Sequence, residues 1–405
     1  MQKLFNIANI YIALWCLYFL QGVLYTEGGT ISRAILALLL AVSLAFFVYS
    51  NFAYKLPNIL YVLDILILAF TIYGCVYIVN DEQNTLGVVG FTYLKTIYMS
   101  LLPVYSFYTF TRKGWLTEQG LKIWAFIFLG VAIVSYFYNQ QLLIEQALAE
   151  GQSLDGITNN VGYTIVALIP LSVLFRKKPI VQYVFLGVCL GFTLFGMKRG
   201  AILTGALCSL WLLVNSFLYS NVKKKIGILV LTVILLGVVG YGVSYLMNNN
   251  DYFAYRIAQT EGGGSSGRNF LYRNAMEYLF NLSDTRTLLF GAGANSTINL
   301  LGNYAHNDWL EILINNGIVV ALIYLIYWVS LLWECFKNKK NLLVYLVLTS
   351  FFIIGFLETL FSMSYNDVPV YLSSIVGFAM ALPSMTSRGQ KKVKLVRTIK
   401  QQTKA

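Results

Sequence analysis

The chain has 405 residues, of which 58% are hydrophobic and only 11% charged. Soluble domains run near ~45–50% apolar and ~25% charged, so an ordinary cytosolic enzyme is excluded and an integral membrane protein is expected. The net charge of +12 is carried by basic residues scattered from loop to loop with no soluble nucleic-acid module beside them, which argues for a topology signal and against nucleic-acid binding.

Hydrophobic runs long enough to cross ~30 Å of hydrocarbon recur about twelve times. They lie near 5–24, 31–52, 57–79, 86–110, 121–139, 160–175, 179–197, 200–220, 226–247, 309–335, 342–363 and 367–385. The first starts close to Met1 and lacks a small-residue cleavage site, so it reads as a retained helix and not a signal peptide. The expected fold is therefore an all-α integral membrane protein with about 12 transmembrane helices. Spans one to nine fill 1–247, a large extracytoplasmic loop fills 248–308, spans ten to twelve fill 309–385, and a basic tail occupies 386–405.

One set of connections holds Lys55, Arg112, Lys113, Lys122, Arg176-Lys177-Lys178, Lys223-Lys224-Lys225, Lys337, Lys339 and Lys340, together with Lys3 and the basic tail. Lysine and arginine are retained inside, so both termini are expected in the cytoplasm, with the tail against anionic lipid. The five cysteines fall inside the apolar runs without CxxC spacing and read as small buried residues. With a single histidine in the chain, neither a metal site nor a cofactor is expected.

The first three spans read as scaffold, apart from Asp64 in the third. The fourth carries Lys95 near mid-membrane and Pro103 further in. An intramembrane lysine is unfavourable unless it faces a cavity or a partner, which makes Lys95 a candidate substrate contact; snorkelling or pairing with Asp64 is the alternative. The outer loop at 140–159 has an acidic, helical character from Gln140 to Gln152, read as an interfacial helix. It ends in Asn159-Asn160, a polar cap for the next span.

Between spans seven and eight stands Phe195-Gly196-Met197-Lys198-Arg199-Gly200, a very short joint with two adjacent cations on the side where cations are rare. Such a departure fits retention for an anion, helped by the amides that open span eight; headgroup anchoring is the alternative. Of the seven basic residues placed outside, Arg33, Lys198, Arg199, Arg256, Arg268, Arg273 and Arg286, six are arginine, whereas lysine dominates inside. Topology needs only charge, but a planar guanidinium matches phosphate oxygens bidentately.

The outer loop passes through Gly262-Gly263-Gly264, and Ser266 is the expected N-cap of a helix running to about Phe280. On a wheel of ~100° per residue, Arg268 falls among Leu271, Tyr272, Ala275, Met276, Tyr278, Leu279 and Phe280, while Arg273 lies with Asn274, Glu277 and Asn281. Arg268 is therefore expected to point toward the bundle and Arg273 toward water. Gly291-Ala292-Gly293 lacks the third glycine and the flanking βαβ unit of a dinucleotide fingerprint and reads as a tight turn. His306-Asn307-Asp308 precedes span ten, with Asn307 or Asp308 as N-cap and Glu311 near the third helical position. A helix N-terminus disfavours imidazolium and welcomes an anion, so His306 is a candidate general base; a structural histidine is the alternative.

Asn159-Asn160, Lys198-Arg199-Gly200, Ser266-Gly267-Arg268, Gly291-Ala292-Gly293, His306-Asn307-Asp308-Trp309-Leu310 and Asn316-Gly317, taken in order, resemble the O-antigen ligase and polymerase superfamily of bacterial membrane glycosyltransferases. The resemblance covers roughly 155–320 and implies a GT-C-like protein of the bacterial inner membrane. It implies a glycan donor carried on undecaprenyl diphosphate, a glycan or lipid acceptor, metal-independent inverting transfer on the outer face, and a chain-length regulator as partner. Carried over by position, Arg199 and Arg268 would clamp the diphosphate with Lys198 and Asn307 beside them, and His306 would activate the acceptor or help hold the phosphate. A polymerase is the first expectation and a ligase acting on lipid A core or protein the second. A transporter or flippase of the lipid-linked oligosaccharide is a third reading, although transporters concentrate polar sites at mid-membrane in broken repeated helices.

Overall fold

The computed structural model describes residues 6–151, 154–261, 268–360, 369–383 and 385. The tail 386–405 and the expected cap at Ser266 lie outside them. Among the described residues the chain is all-α apart from an isolated antiparallel bridge between Gln83 and Val89. Its helices are α1 (Ile7–Phe19), α2 (Thr30–Ala53), α3 (Asn58–Val79), α4 (Gly90–Leu101), α5 (Pro103–Arg112), α6 (Glu118–Ala149), α7 (Val161–Val166) and α8 (Pro179–Phe195). They continue as α9 (Arg199–Leu218), α10 (Val222–Asn249), α11 (Asp251–Glu261), α12 (Arg268–Phe280), α13 (Thr285–Phe290), α14 (Ser296–Leu301), α15 (Asp308–Lys337), α16 (Leu342–Thr359) and α17 (Val370–Pro383). Seven of these, α2, α3, α6, α9, α10, α15 and α16, are long and apolar enough to cross a membrane, making this a multi-pass membrane protein.

The other apolar runs are shorter or broken, each for a local reason. Pro103 splits the run 86–110 into α4 and α5, because proline supplies no N–H to the preceding turn. The run 160–175 is α7 followed by a tight 3₁₀ stretch, Ile169–Phe175, with Pro170 at its start. The expected separate interfacial helix at 140–152 is instead the C-terminal end of α6. No glycine or proline interrupts Asn139-Gln140-Gln141, and Gln141 Nε2 donates to Glu145 Oε1 one turn on at 3.0 Å.

Helix α15 is a packing centre, set against α3, α13, α14 and α16. It is not continuous: Gly317 has φ 73° and ψ −178°, so the helix breaks there. A break inside an apolar bundle frees carbonyls that must find donors. Ala292 N donates to Ile314 O at 2.8 Å and Gly293 N to Asn315 O at 3.0 Å. The Tyr73 hydroxyl of α3 lies 3.1 Å from Asn316 O and also reaches Phe290 O. The Gly291-Ala292-Gly293 stretch is therefore more than a turn: it is the plug that closes the break.

Both glycines are forced by this closeness. A Cβ on Gly317 would overlap the Leu289 carbonyl, and one on Gly291 would overlap the Asn315 carbonyl. Each also has positive φ, which a side chain resists. Gly317→Ala should therefore destabilise the protein by at least ~2 kcal/mol, more than the ordinary penalty for a side chain at positive φ, because backbone must move as well. Thermal unfolding in detergent checks this; an unchanged midpoint would mean that the break relaxes freely.

Candidate functional site

The site is assembled from the α8–α9 turn, α11, the start of α12 and the loop before α15. Asn159 builds the first of these. It is fully buried, its Nδ2 donating to Tyr136 O at 3.0 Å and to Gln140 Oε1 at 3.2 Å, and its Oδ1 accepting from Asn139 Nδ2 at 2.8 Å and Val161 N at 3.0 Å. Its own N–H donates to Gly196 O at 2.9 Å, fixing the joint in which Met197 takes φ 52°. Lys198 then stands at the cap position and Arg199 opens α9.

Helix α11 folds back onto this joint through Phe253, which is buried with Leu194, Met197 and Leu246. Asn250 Oδ1 caps it by accepting from Phe253 N at 2.7 Å. The fold-back brings Arg256 to Arg199, whose Nη1 donates to Arg256 O at 3.2 Å, while the Arg256 guanidinium lies 5.5 Å from the Tyr252 ring centre.

On α12 the two arginines separate as their wheel positions require. Arg273 is 66% exposed, pairs with Glu277 at 3.9 Å and covers the Phe270 ring. Arg268 is half-buried, within hydrogen-bonding reach of Tyr163 on α7, which also feels the Glu358 carboxylate. The rest of the apolar arc is only partly covered: Ala275 is buried, but Met276 and Phe280 remain exposed. The Tyr272 hydroxyl lies 3.2 Å from His306 O and 3.0 Å from Leu360 O, tying the arginine helix to the histidine loop.

That loop is held from beneath. Glu311, buried on α15, accepts from Ala305 N through Oε1 at 2.5 Å and from Asn315 Nδ2 through Oε2 at 3.1 Å. Asn315 Oδ1 accepts in turn from Thr297 N at 2.8 Å and Thr297 Oγ1 at 2.7 Å on α14. Asn307 is the N-cap, accepting from Leu310 N at 3.2 Å, and its Nδ2 donates to Leu360 O at 3.3 Å, so both ends of its side chain are engaged in fixing the loop. Glu311 is the fourth helical residue and reaches Ala305, not the cap residue, a shifted version of the expected box. Between the two anchors His306 takes φ 53°, a conformation that needs such support in a residue other than glycine.

The field at His306 and Lys198 is set by burial and by neighbouring cations. Burial pushes the His306 pKa below its ordinary value, and the positive charges of Arg268 and Lys198 push it further. Burial likewise depresses Lys198, with Arg256 and Arg268 adding to the effect. The structure thus gathers Lys198, Arg199, Arg268 and His306, and adds Arg256. Sequence reasoning counted Arg256 among the outer arginines without assigning it to the site; its signal was the Asn250 cap, which starts α11 and sets the register that turns Arg256 to Arg199. Lys95, half-buried on α4, is not brought to this cluster: its charge is not among those acting on His306 or Lys198. Nor does it pair with Asp64, which accepts from the Tyr105 hydroxyl at 2.5 Å and from Asn51 Nδ2 at 3.4 Å. Among the described residues no group of three or more His, Cys, Asp or Glu converges as metal ligands would.

Chemically, clustered cations suit a multivalent anion, and the lowered His306 pKa favours the neutral imidazole beside them. Because His306 is the chain's sole histidine, its titration can be followed as one NMR signal in selectively labelled protein. We expect a midpoint below the ordinary ~6.5, rising when inorganic diphosphate neutralises Arg268 and Lys198. A midpoint unmoved by saturating diphosphate would mean that the anion sits elsewhere. The sign for stability follows: the unfolded chain takes up this proton first, so the contribution of His306 falls as pH drops through the ordinary histidine range.

Glu311→Ala strands Ala305 N and the Asn315 amide in a buried place, a loss of about 1–3 kcal/mol for each unsatisfied group. It should lower the unfolding midpoint and broaden the His306 signal. A sharp, unshifted histidine resonance in that variant would show that the loop does not need this anchor.

Neither protein-family models nor curated proteins match this chain, so the meaning of the site rests on its residues.

Proposed function

We propose that this protein is a glycosyltransferase of the bacterial cytoplasmic membrane, of the O-antigen or capsular polysaccharide polymerase type. It transfers a glycan from undecaprenyl diphosphate to an acceptor hydroxyl at the outer face. In this reading the chain crosses the membrane twelve times, with both termini inside and 248–308 outside. The observation that carries the reading is the linked set of cations beside His306: Arg268 and Lys198 act on the histidine, Arg256 and Arg268 act on Lys198, and Arg199 donates to Arg256 O at 3.2 Å.

The chemistry follows from that arrangement. Neutral His306 accepts the proton of the acceptor hydroxyl as the oxygen attacks the anomeric carbon. The bond from that carbon to the diphosphate oxygen breaks with its electron pair, leaving charge on the diphosphate, and the configuration inverts. Fixed guanidinium and ammonium groups stabilise that developing charge without reorganising, in a partly desolvated place where such contacts are strongest. A ligase would share all of this and differ only in the acceptor.

The test compares variants in purified full-length protein supplied with lipid-linked glycan, measuring glycosidic bond formation separately from lipid flipping. Arg268→Ala should lose ~2–4 kcal/mol of transition-state stabilisation, as for one preorganised donor. Arg199→Lys should lose most activity because an ammonium cannot reproduce the fork, and Arg273→Ala should stay within a few-fold of wild type. Equal losses at Arg268 and Arg273 would sink the assignment, and flipping without bond formation would make the protein a transporter.

A further inference from the structure

About two turns along α9 from Arg199, α9 and the C-terminal half of α16 enclose an apolar groove of about 430 Å³. It is lined by Leu207, Leu210, Trp211 and Val214 of α9 and by Phe352 and Phe356, among others, of α16. We propose that this groove holds the isoprenoid tail of the lipid whose diphosphate sits at Lys198, Arg199 and Arg268. The inference rests on the reading of that cluster as a diphosphate site and adds where the rest of the lipid lies.

Three observations support it. The first is register: Arg199, Leu203, Leu207, Leu210 and Val214 follow one another at intervals of four, four, three and four residues, so the guanidinium heads the same helix face that lines the groove. All four apolar members are well exposed, from 41% to 52%.

The second is continuity at the α16 wall. Phe352 and Phe356 stack with ring centres 5.3 Å apart and planes 9° from parallel. Phe356 meets Trp309 edge-on at 6.4 Å, and Trp309 Nε1 donates to Thr359 Oγ1 at 3.0 Å. Trp309 is three residues from His306, and Leu360 O, just past the end of α16, is the carbonyl that Asn307 and Tyr272 hold. The groove wall and the histidine loop are thus one packed unit.

The third is depth. Counted from Arg199 at ~1.5 Å per residue, the stripe begins about 6 Å down at Leu203 and the groove proper runs from Leu207 to Val214, about 12–22 Å down, within the ~30 Å hydrocarbon thickness. An isoprenoid chain whose diphosphate is held at Arg199 follows the stripe into the groove. At the inner end Trp211 is pinned by its Nε1 donating to Thr349 Oγ1 at 2.9 Å and stands edge-on to Tyr345, giving the groove a fixed wall.

The experiment uses the full chain in detergent with a polyprenyl diphosphate carrying a photoreactive diazirine in its tail. Cross-links should map to peptides within 203–214 and 352–357, competed by undecaprenyl diphosphate and not by phosphatidylglycerol. Leu210→Trp overfills the groove and should cut that labelling about ten-fold. Leu207→Trp, one turn closer to the headgroup, serves where the first variant does not accumulate. Val233→Trp, on the exposed face of α10, should leave labelling unchanged. Labelling spread over α2 and α10, equal competition by phosphatidylglycerol, or indifference to both groove variants would overturn the proposal. Calorimetric binding of inorganic diphosphate separates the two levels: if it persists while the groove fails to label, only the tail assignment is wrong. If wild-type protein binds no diphosphate, the cluster has been misread as well.

Discussion

The half of this protein that carries the histidine loop depends on the closure of a broken helix. At Gly317 α15 leaves helical geometry, and the carbonyls of Ile314, Asn315 and Asn316 would otherwise face an apolar interior without donors. An unpaired peptide group in such surroundings costs several kcal/mol. Donors arrive from two other elements, the amides of Ala292 and Gly293 and the hydroxyl of Tyr73, so satisfying the break also fixes where α13 and α3 must lie. The contact is backbone on backbone and excludes side chains at Gly291 and Gly317. The first turns of α15, together with the Glu311–Asn315–Thr297 chain, therefore form a rigid block under the histidine loop.

On that block sits an arrangement that works against stability. Lys198, Arg256 and Arg268 repel one another in partly desolvated positions, and His306 is held at positive φ and kept short of its proton. Positive φ at Met197 and His306 here coincides with neighbouring like charges, a combination in which strain and charge are expected to be functional. The supports are specific to the strained parts: Asn159 secures the Met197 joint, Asn250 starts α11, and Glu311 and Asn307 bracket His306.

What was legible in the sequence follows from the range of each interaction. Composition alone dictates an apolar helical bundle, and the spacing of Arg268 and Arg273 fixed which faces bundle and which faces water, because a helix wheel is a local property. The Lys198-Arg199 joint stood out for its charge in a place where topology disfavours it. By contrast, Gly291-Ala292-Gly293 and Gly317 are separated by more than twenty residues of chain, and neither announces that its carbonyls or amides need the other. Glu311 read as a helix-start residue although its partner is Ala305, and the acidic stretch after Asn139 read as a separate element because apolar periodicity carries no information in helices that are apolar all round. Arg256 was hidden for the same reason as the plug: its meaning depends on α11 folding back onto the α8–α9 joint, a tertiary event.

On the proposed reading, the cations beside His306 also explain how one residue can serve as base without being a base at rest. With the anion absent, burial first and then Arg268 and Lys198 lower the histidine's affinity for its proton, which leaves it weakly basic. Binding a diphosphate cancels much of that positive field, so the imidazole's proton affinity rises when an acceptor hydroxyl needs a proton taken from it. Once the glycan has been transferred and the diphosphate lipid departs, the positive field of Arg268 and Lys198 at the imidazole returns and lowers its proton affinity again. The cycle needs no conformational change in the histidine loop, which agrees with how firmly Glu311, Asn307 and Tyr272 hold that loop. It does require that the base and the leaving group share one electrostatic neighbourhood. A histidine placed further from the arginines would have a more ordinary affinity for its proton and would lose this coupling to the substrate it serves.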